Sequence, residues 1–326
     1  MSSRQLKPHE DIRTKRFFHP TYFGLGLIAG GLLWGGLAAS YAYIATHPPR
    51  IPVFLPKDAR SIGLEEVTFP SRDGIVLSGW FLPAKGEAIG GVVLCHGHLY
   101  NRMEMLYWAR HLREAGFHTL LFDFRKSGRS GGHVCTVGYL ETNDLLGAVD
   151  YFASRPEMQG LRVGVYGHSM GGSVALMTAA DDTRLAAVVT HGAFATLERA
   201  VIRRSRLLFG PLGALITPLT IAIGRRWIPI SPHTVSALKA IGKIAPRPVL
   251  LFHGQHDRIV PVKDAYDLYA AACPPRALHV LPKSGHIWIA PEELPEYDHL
   301  LVKFFTTHLW RRGEKRCLRA PNSPVL

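Results

Sequence analysis

Three polar clusters interrupt a largely apolar chain: Gly167-His168-Ser169-Met170-Gly171, Gln255-His256-Asp257 and Lys283-Ser284-Gly285-His286. Each directly follows an apolar run, LRVGVYG, PVLLFHG and ALHVLP respectively. A serine hydroxyl is a poor nucleophile at neutral pH. It becomes a good one when an imidazole takes its proton and a carboxylate orients that imidazole. Ser169, His286 and Asp257 supply those three groups, in the chain order serine, acid, histidine expected of an open α/β sheet. A plainer reading makes Ser169 a helix N-cap, since serine is a preferred capping residue. The flanking glycines favour the nucleophile, because a sharp strand-to-helix turn leaves no room for side chains two residues either side. Capping also does not explain why Asp257 and His286 follow the right strands. The run at 185–192 is followed by Ala193-Phe194-Ala195, so no carboxylate there competes with Asp257.

Acyl transfer needs two N–H donors for the developing oxyanion. The backbone N–H of Met170, opening the helix, is one candidate. The main-chain N–H of His98, in the loop Cys95-His96-Gly97-His98, is the other. The rings themselves are read as structural: His96 buried and bonded to backbone, His98 exposed in its loop. Metal hydrolysis through His96-x-His98 would want further ligands, and the chain continues Leu-Tyr-Asn. No metal and no cofactor is expected.

These residues need a sheet edge to meet at, and the rest of the chain supplies one. Residues 65–83 read as a hairpin turning at Asp73-Gly74. Strands follow at 90–97, 118–124, 161–167, 185–192, 248–254 and 277–282, separated by helical patterns at 138–153, from Gly171 and at 300–310. Alternation of this kind predicts a mostly parallel sheet covered by helices on both faces. Ligands bind such sheets at the carboxyl ends of the strands, where all three clusters lie.

The chain resembles an α/β-hydrolase, and in particular the branch with prolyl-oligopeptidase-like, serine aminopeptidase-like and membrane-anchored hydrolases. The resemblance rests on the Asp73-Gly74 hairpin, His96-Gly97, DFRKSGRSGG at 123–132, GYLETNDLLGAVDYF at 138–152, GHSMGG, HGQHDRIVP at 253–261 and SGH at 284–286. It covers about Glu65 to His308. The branch commonly has R-G-x-G-x-S after the fourth strand, and here Lys126 replaces the first glycine. The resemblance implies the α/β-hydrolase fold, with a cap inserted after the sixth strand.

Outside that region, charge is localised. The net charge of +13 is concentrated in residues 1–20, 196–243 and 310–326, and the remainder is close to neutral. Two basic tails and one basic insert suit an anionic membrane surface rather than a nucleic-acid-binding face. Thr21 to Thr46 are free of charge, and a helix of that length spans about 39 Å against a hydrocarbon core of about 30 Å. A cleaved signal peptide is the alternative, with Ser40-Tyr41-Ala42 as its site, but the apolar run is longer than a signal core. Five cations precede the segment and Arg50, Lys57 and Arg60 follow it, so the positive-inside rule predicts a cytoplasmic N-terminus and an extracytoplasmic hydrolase domain. Gly26-x3-Gly30 and Gly31-x3-Gly35 would let two such helices pair as a homodimer. Cys95, Cys135, Cys273 and Cys317 form no metal spacing and no disulfide framework; a Cys135–Cys273 pair stays open if the domain faces an oxidising compartment.

The expected organisation is a basic tail (1–20), a transmembrane anchor (21–46), a Pro-rich linker (47–60), a hydrolase domain (61–310) with a cap insert (195–245), and a basic tail (311–326). Pro211 and Pro218 argue against a second straight span through the insert. An apolar lid over Ser169 is the plain reading. The sharper one lets the lid dip into a bilayer, with Arg199, Arg203, Arg204, Arg225 and Arg226 on lipid phosphates. Anchor, lid and basic tail together favour a serine hydrolase acting on carboxylic esters, with lipid or thioester acyl groups as candidate substrates. The main alternative is a serine peptidase on the same fold. A non-enzymatic membrane scaffold is the remaining alternative, disfavoured by the intact set of three residues.

Overall fold

The computed structural model describes residues 20–228 and 231–310; the tails at 1–19 and 311–326, with Cys317, lie outside the described residues. The strands are β1 (Glu65–Pro70), β2 (Val76–Leu82), β3 (Gly90–Cys95), β4 (Phe117–Phe122), β5 (Val163–His168), β6 (Leu185–His191), β7 (Val249–Gly254) and β8 (Arg276–Leu281). They form one sheet in the order β1-β2-β4-β3-β5-β6-β7-β8, parallel except for β2, which runs antiparallel to β1 and β4. β3, β4, β5 and β7 are buried at every residue. That explains their unbroken apolar sequences, because a parallel strand is covered on both faces.

Successive side chains point to opposite faces. Val93, Phe122 and Val165 enter the core under α3 (Glu141–Ser154) and α4 (Met170–Asp181). Val92, Leu121 and Tyr166 enter the one under α2 (Leu106–Glu114) and α9 (Leu294–Leu309). α8 (Val262–Ala271) packs on β7 and β8.

Two helices differ from their sequence patterns. α3 begins at Glu141 rather than Gly138, because Gly138 sits at φ +115°, outside the helical region. α9 begins at Leu294, six residues early, with Pro295 in its first turn, where the missing N–H costs nothing.

The N-terminal segment is one helix, α1 (Pro20–Thr46). Its first half exposes Leu25, Leu27, Ile28, Leu32 and Leu33, whereas Ala38, Ala42 and Thr46 are buried against the domain. The Gly26/Gly30 and Gly31/Gly35 positions face open space. The Pro-rich linker is strapped down: the Arg50 guanidinium donates to the carbonyls of Ser127, Ser130 and Gly132, and Asn101 Nδ2 to that of Ile51.

The insert after β6 folds as a hairpin of α5 (Leu197–Phe209) and α6 (Gly213–Gly224), followed by the short α7 (Ala237–Ala240). The chain breaks at Gly210–Leu212, around Pro211, but Pro218 lies inside α6 without ending it. α6 is held on two sides, by α1 and by α5, and that packing offsets the roughly 3 kcal/mol an interior proline costs. Two of the five cap arginines have partners within the protein. Arg199 pairs with Asp267 at 2.6 Å and Arg203 Nε donates to the Arg258 carbonyl at 3.1 Å, while Arg225 and Arg226 are exposed. Cys95 and Cys135 are buried free thiols and Cys273 is an exposed one.

Candidate active site

Ser169 stands between β5 and α4 with φ +52° and ψ −116°, a conformation that L-residues rarely adopt. The glycines around it are sterically required. A Cβ on Gly167 would lie 2.3 Å from the Gly171 carbonyl oxygen, and one on Gly171 would lie 2.3 Å from that of Cys95. The turn is pinned further by Ser169 N–H donating to the His191 carbonyl at 2.8 Å. Although Ser169 occupies the N-cap position of α4, its hydroxyl makes no capping bond. It lies 2.9 Å from His286 Nε2 instead.

His286 arrives on the loop after β8, and Asp257 on the loop after β7. His286 Nδ1 lies 2.6 Å from Asp257 Oδ2, while Asp257 Oδ1 accepts the N–H groups of Ile259 and Val260, both at 2.8 Å. Burial raises the Asp257 carboxyl, but hydrogen bonds from His253 and His286 outweigh it and hold the pKa well below the usual range. Asp257 is therefore ionised and fixes the proton of His286 on Nδ1. Burial lowers the His286 pKa, and the partial compensation from Asp257 leaves it below that of a free imidazole. Nε2 thus carries a lone pair at neutral pH, within general-base reach of the serine hydroxyl.

The candidate oxyanion donors sit on adjacent loops, because β3 and β5 are paired with Cys95 opposite Gly167. A Cβ at Gly97 would lie 3.4 Å from Ser169 Cβ, so the loop leading to His98 runs directly beside Ser169. Met170 is the first residue of α4, where the N–H precedes the first intrahelical bond and the helix dipole favours negative charge. The ring of His96 is buried as expected, with Nδ1 2.7 Å from the Gly97 carbonyl and Nε2 accepting the Phe124 N–H at 3.0 Å. The ring of His98 is not exposed in its loop: it is half-buried, with Nε2 2.9 Å from the Ala45 carbonyl at the end of α1.

Two residues the sequence did not single out tie these loops together. Glu104, on the 3-10 turn after the His98 loop, accepts the Gly97 N–H at 2.7 Å and lies 2.8 Å from His168 Nδ1. His168 Nε2 lies 2.9 Å from the main-chain carbonyl of His286. Both ring nitrogens of His168 face acceptors, so both carry hydrogens and the ring is an imidazolium. Burial pulls the His168 pKa down, but the Glu104 carboxylate overcomes it and the net displacement is upward. Burial raises the Glu104 pKa, but His168, the Gly97 N–H and His96 together outweigh it and leave it lowered. One buried ion pair thus links the loop before His98, the turn that carries Ser169 and the backbone of His286. The sole sequence cue was the carboxylate seven residues beyond Gly97.

Lys126 gives a local reason for the glycine usual at its position. It holds φ +63°, where a side chain is strained. Gly128 must remain glycine, since a Cβ there would lie 2.1 Å from Asp123 Oδ2.

A cleft of about 610 Å³ opens beside His286 and His168, walled by Tyr100, Met103, Trp108 and Trp288. A smaller cavity of about 90 Å³ lies between α1, the cap and residues 136–139.

Comparison with known proteins agrees with this architecture. The profile described as the prolyl oligopeptidase family matches residues 107–311, more than half of the chain. A relative from Salmonella typhi, the uncharacterized protein YfhR, is 28% identical over 262 residues, covering 74% of this chain and 80% of its own. Among solved structures, the Pyrococcus furiosus esterase Pf2001 superposes with a TM-score of 0.67 at 23% identity, covering 80% of this chain and 99% of the esterase. The hypothetical protein PA2218 of Pseudomonas aeruginosa gives 0.62 at 24% identity, covering 76% and 94%. The chain is a hydrolase with the α/β-hydrolase fold and belongs to the prolyl oligopeptidase family.

Proposed function

We propose that the protein is a membrane-anchored serine hydrolase that cleaves carboxylic esters with apolar acyl groups. The observation that carries the reading is the continuous chain from Asp257 through His286 to Ser169, at 2.6 Å and 2.9 Å. As the Ser169 oxygen attacks the ester carbonyl, its proton passes to His286 Nε2. The carbonyl oxygen becomes an oxyanion held by the N–H groups of Met170 and His98. Collapse breaks the ester C–O bond, and the leaving alkoxide takes the proton from His286, beside the larger cleft. Water then repeats the sequence on the acyl-enzyme, with His286 again accepting a proton, and releases the carboxylic acid and free Ser169.

Anchoring is supported by α1, whose 27 uncharged, mostly apolar residues extend about 40 Å. Retention rather than cleavage is supported by its last turn, whose Ala45 and Thr46 carbonyls bond to His98 and to the Cys135 N–H. The charge balance around the helix favours a cytoplasmic N-terminus. Leu207, Leu208, Leu212 and Leu215 of the cap are exposed, and α6 packs on α1, which suits immersion of cap and anchor in the same bilayer. The prolyl oligopeptidase match gives a second reading, peptide hydrolysis by the same three residues.

Side-by-side rates of the full chain in detergent on p-nitrophenyl esters and aminoacyl anilides decide between the two, with esters expected to be the faster. Ser169→Ala abolishes both turnover and labelling by a fluorophosphonate. Labelling that persists in that variant overturns the assignment of the nucleophile.

A further inference from the structure

Resting on the serine hydrolase reading, in which the N–H groups of His98 and Met170 receive the oxyanion, we infer that the last turn of α1 holds both donors in place. The ring of His98 is the positioning group: it carries the bond to α1, while the main chain of the same residue supplies the N–H. Among the described residues, α1 makes no hydrogen bond to Ser169, His286 or Asp257. Its effect on the reaction therefore runs through the oxyanion donors and not through the proton-transfer chain.

The loop that presents His98 needs such a support. Leu99, the next residue, holds φ +69°, where an L-residue is strained. A conformation of that kind persists only where its surroundings over-determine it. One fixed point lies within the domain, where the Gly97 N–H donates to Glu104 at 2.7 Å. The other is α1, where His98 Nε2 lies 2.9 Å from the Ala45 carbonyl. Burial lowers the His98 pKa, so the ring is neutral and its single hydrogen, on Nε2, donates to that carbonyl. Ala45 and Thr46 are the last two residues of α1, and their carbonyls have no partner further along the helix. The Thr46 carbonyl accepts the Cys135 N–H at 2.7 Å instead, and Cys135 Sγ lies 4.0 Å from Met170 Sδ. The second donor is thus backed by packing, the first by a direct bond. Just past the helix, Arg50 fixes the chain to the carbonyls of Ser127, Ser130 and Gly132, which sets the position of the turn itself. Two carbonyls that a free helix end would turn to water close on the two oxyanion loops.

The test breaks the contact from each side in the full-length protein. His98→Leu keeps bulk and removes the ring N–H, whereas His98→Gln keeps an N–H near the position of Nε2. Thr46→Pro leaves His98 untouched and turns the Ala45 carbonyl away, because a residue before proline is driven out of the helical region. Detergent-solubilised protein is assayed on a p-nitrophenyl ester. Rates are expressed per site labelled by a fluorophosphonate at completion, so that unfolded protein does not count. Losing a whole oxyanion donor costs about 10²–10³ in kcat, and a displaced donor costs less. The expected result for His98→Leu and Thr46→Pro is a fall in kcat of roughly ten- to a hundredfold with KM within threefold of the parent. His98→Gln recovers most of that loss. Affinity for a trifluoromethyl ketone, whose adduct with Ser169 carries the same oxyanion, falls in step with kcat, which lost packing alone does not produce. A kcat within twofold of the parent in either variant, a loss that His98→Gln shares in full, or an unchanged ketone affinity overturns the role of α1. Failure of the parent chain to cleave any ester or anilide, or turnover that survives Ser169→Ala, overturns the serine hydrolase reading instead.

Discussion

Replacing Glu104 by alanine and by glutamine gives losses of different size if the buried pair with His168 works as the geometry indicates. In the parent, Glu104 accepts from Gly97 N–H at 2.7 Å and pairs with His168 Nδ1 at 2.8 Å, and His168 Nε2 bonds to the His286 carbonyl at 2.9 Å. Alanine leaves an imidazolium without a counter-charge and an N–H without an acceptor. Breaking a buried pair from one side costs about 3–5 kcal/mol. At about 2–4 °C per kcal/mol for a domain of this size, the melting temperature falls by roughly 6–20 °C. Glutamine permits a neutral solution. His168 loses its Nδ1 proton and accepts from the amide N–H, while the amide oxygen keeps the Gly97 N–H. Two charge-assisted bonds become neutral ones, at about 1 kcal/mol each. The regained desolvation of two charges offsets part of that, so the melting temperature falls by less than about 6 °C.

Calorimetry of the detergent-solubilised protein across pH separates this from simple loss of packing. The His168 pKa is raised in the folded state, so its contribution is full below its unfolded value of about 6.5 and is lost as pH rises through the folded value. The Glu104 pKa is depressed, so its contribution is present above about 4.5 and lost as pH falls through the folded value. The gap in melting temperature between parent and Glu104→Gln therefore narrows as pH rises from 6 to 9. A gap independent of pH, or a glutamine variant as unstable as the alanine one, refutes an imidazolium at His168.

Three further outcomes follow from the same geometry. The pH profile of kcat/KM should fall on the acid side with a midpoint below 6.5, because burial depresses His286 and the neutral ring is the working base; a midpoint above 7 contradicts this. Asp257→Asn presents an amide N–H to His286 Nδ1, favours the wrong tautomer and should lower kcat by about 10⁴ with little change in fold, as checked by circular dichroism. Lys126→Gly relieves a side chain at φ +63° and should stabilise the protein by about 1 kcal/mol, or roughly 2–4 °C in a thermal melt, without altering ester turnover.

Much of the molecule was legible in the sequence. Fully buried parallel strands are apolar, so β3, β5 and β7 announced themselves as apolar runs, and the polar clusters after β5, β7 and β8 stood out in the chain. Gly167 reported a backbone constraint that acts within five residues, against Gly171, whereas the constraint on Gly171 comes from the Cys95 carbonyl on β3. The start of α9 was missed because proline in a first turn resembles a breaker. Pro218 was misjudged for the complementary reason: its local cost was visible, whereas the packing of α1 and α5 that offsets it was not.

The sequence by itself determined the strand pattern, the order of Ser169, Asp257 and His286, and a charge-free segment long enough to cross a bilayer, because each depends on residues close together in the chain. Only the tertiary structure decided that the Ser169 hydroxyl turns from α4 to His286, that Glu104 and His168 form one buried pair, and that the last turn of α1 rests on His98 and Cys135. Those contacts join residues up to 117 positions apart. Such pairings carry no local signature, since a buried charge or a free carbonyl becomes favourable only when folding supplies its partner.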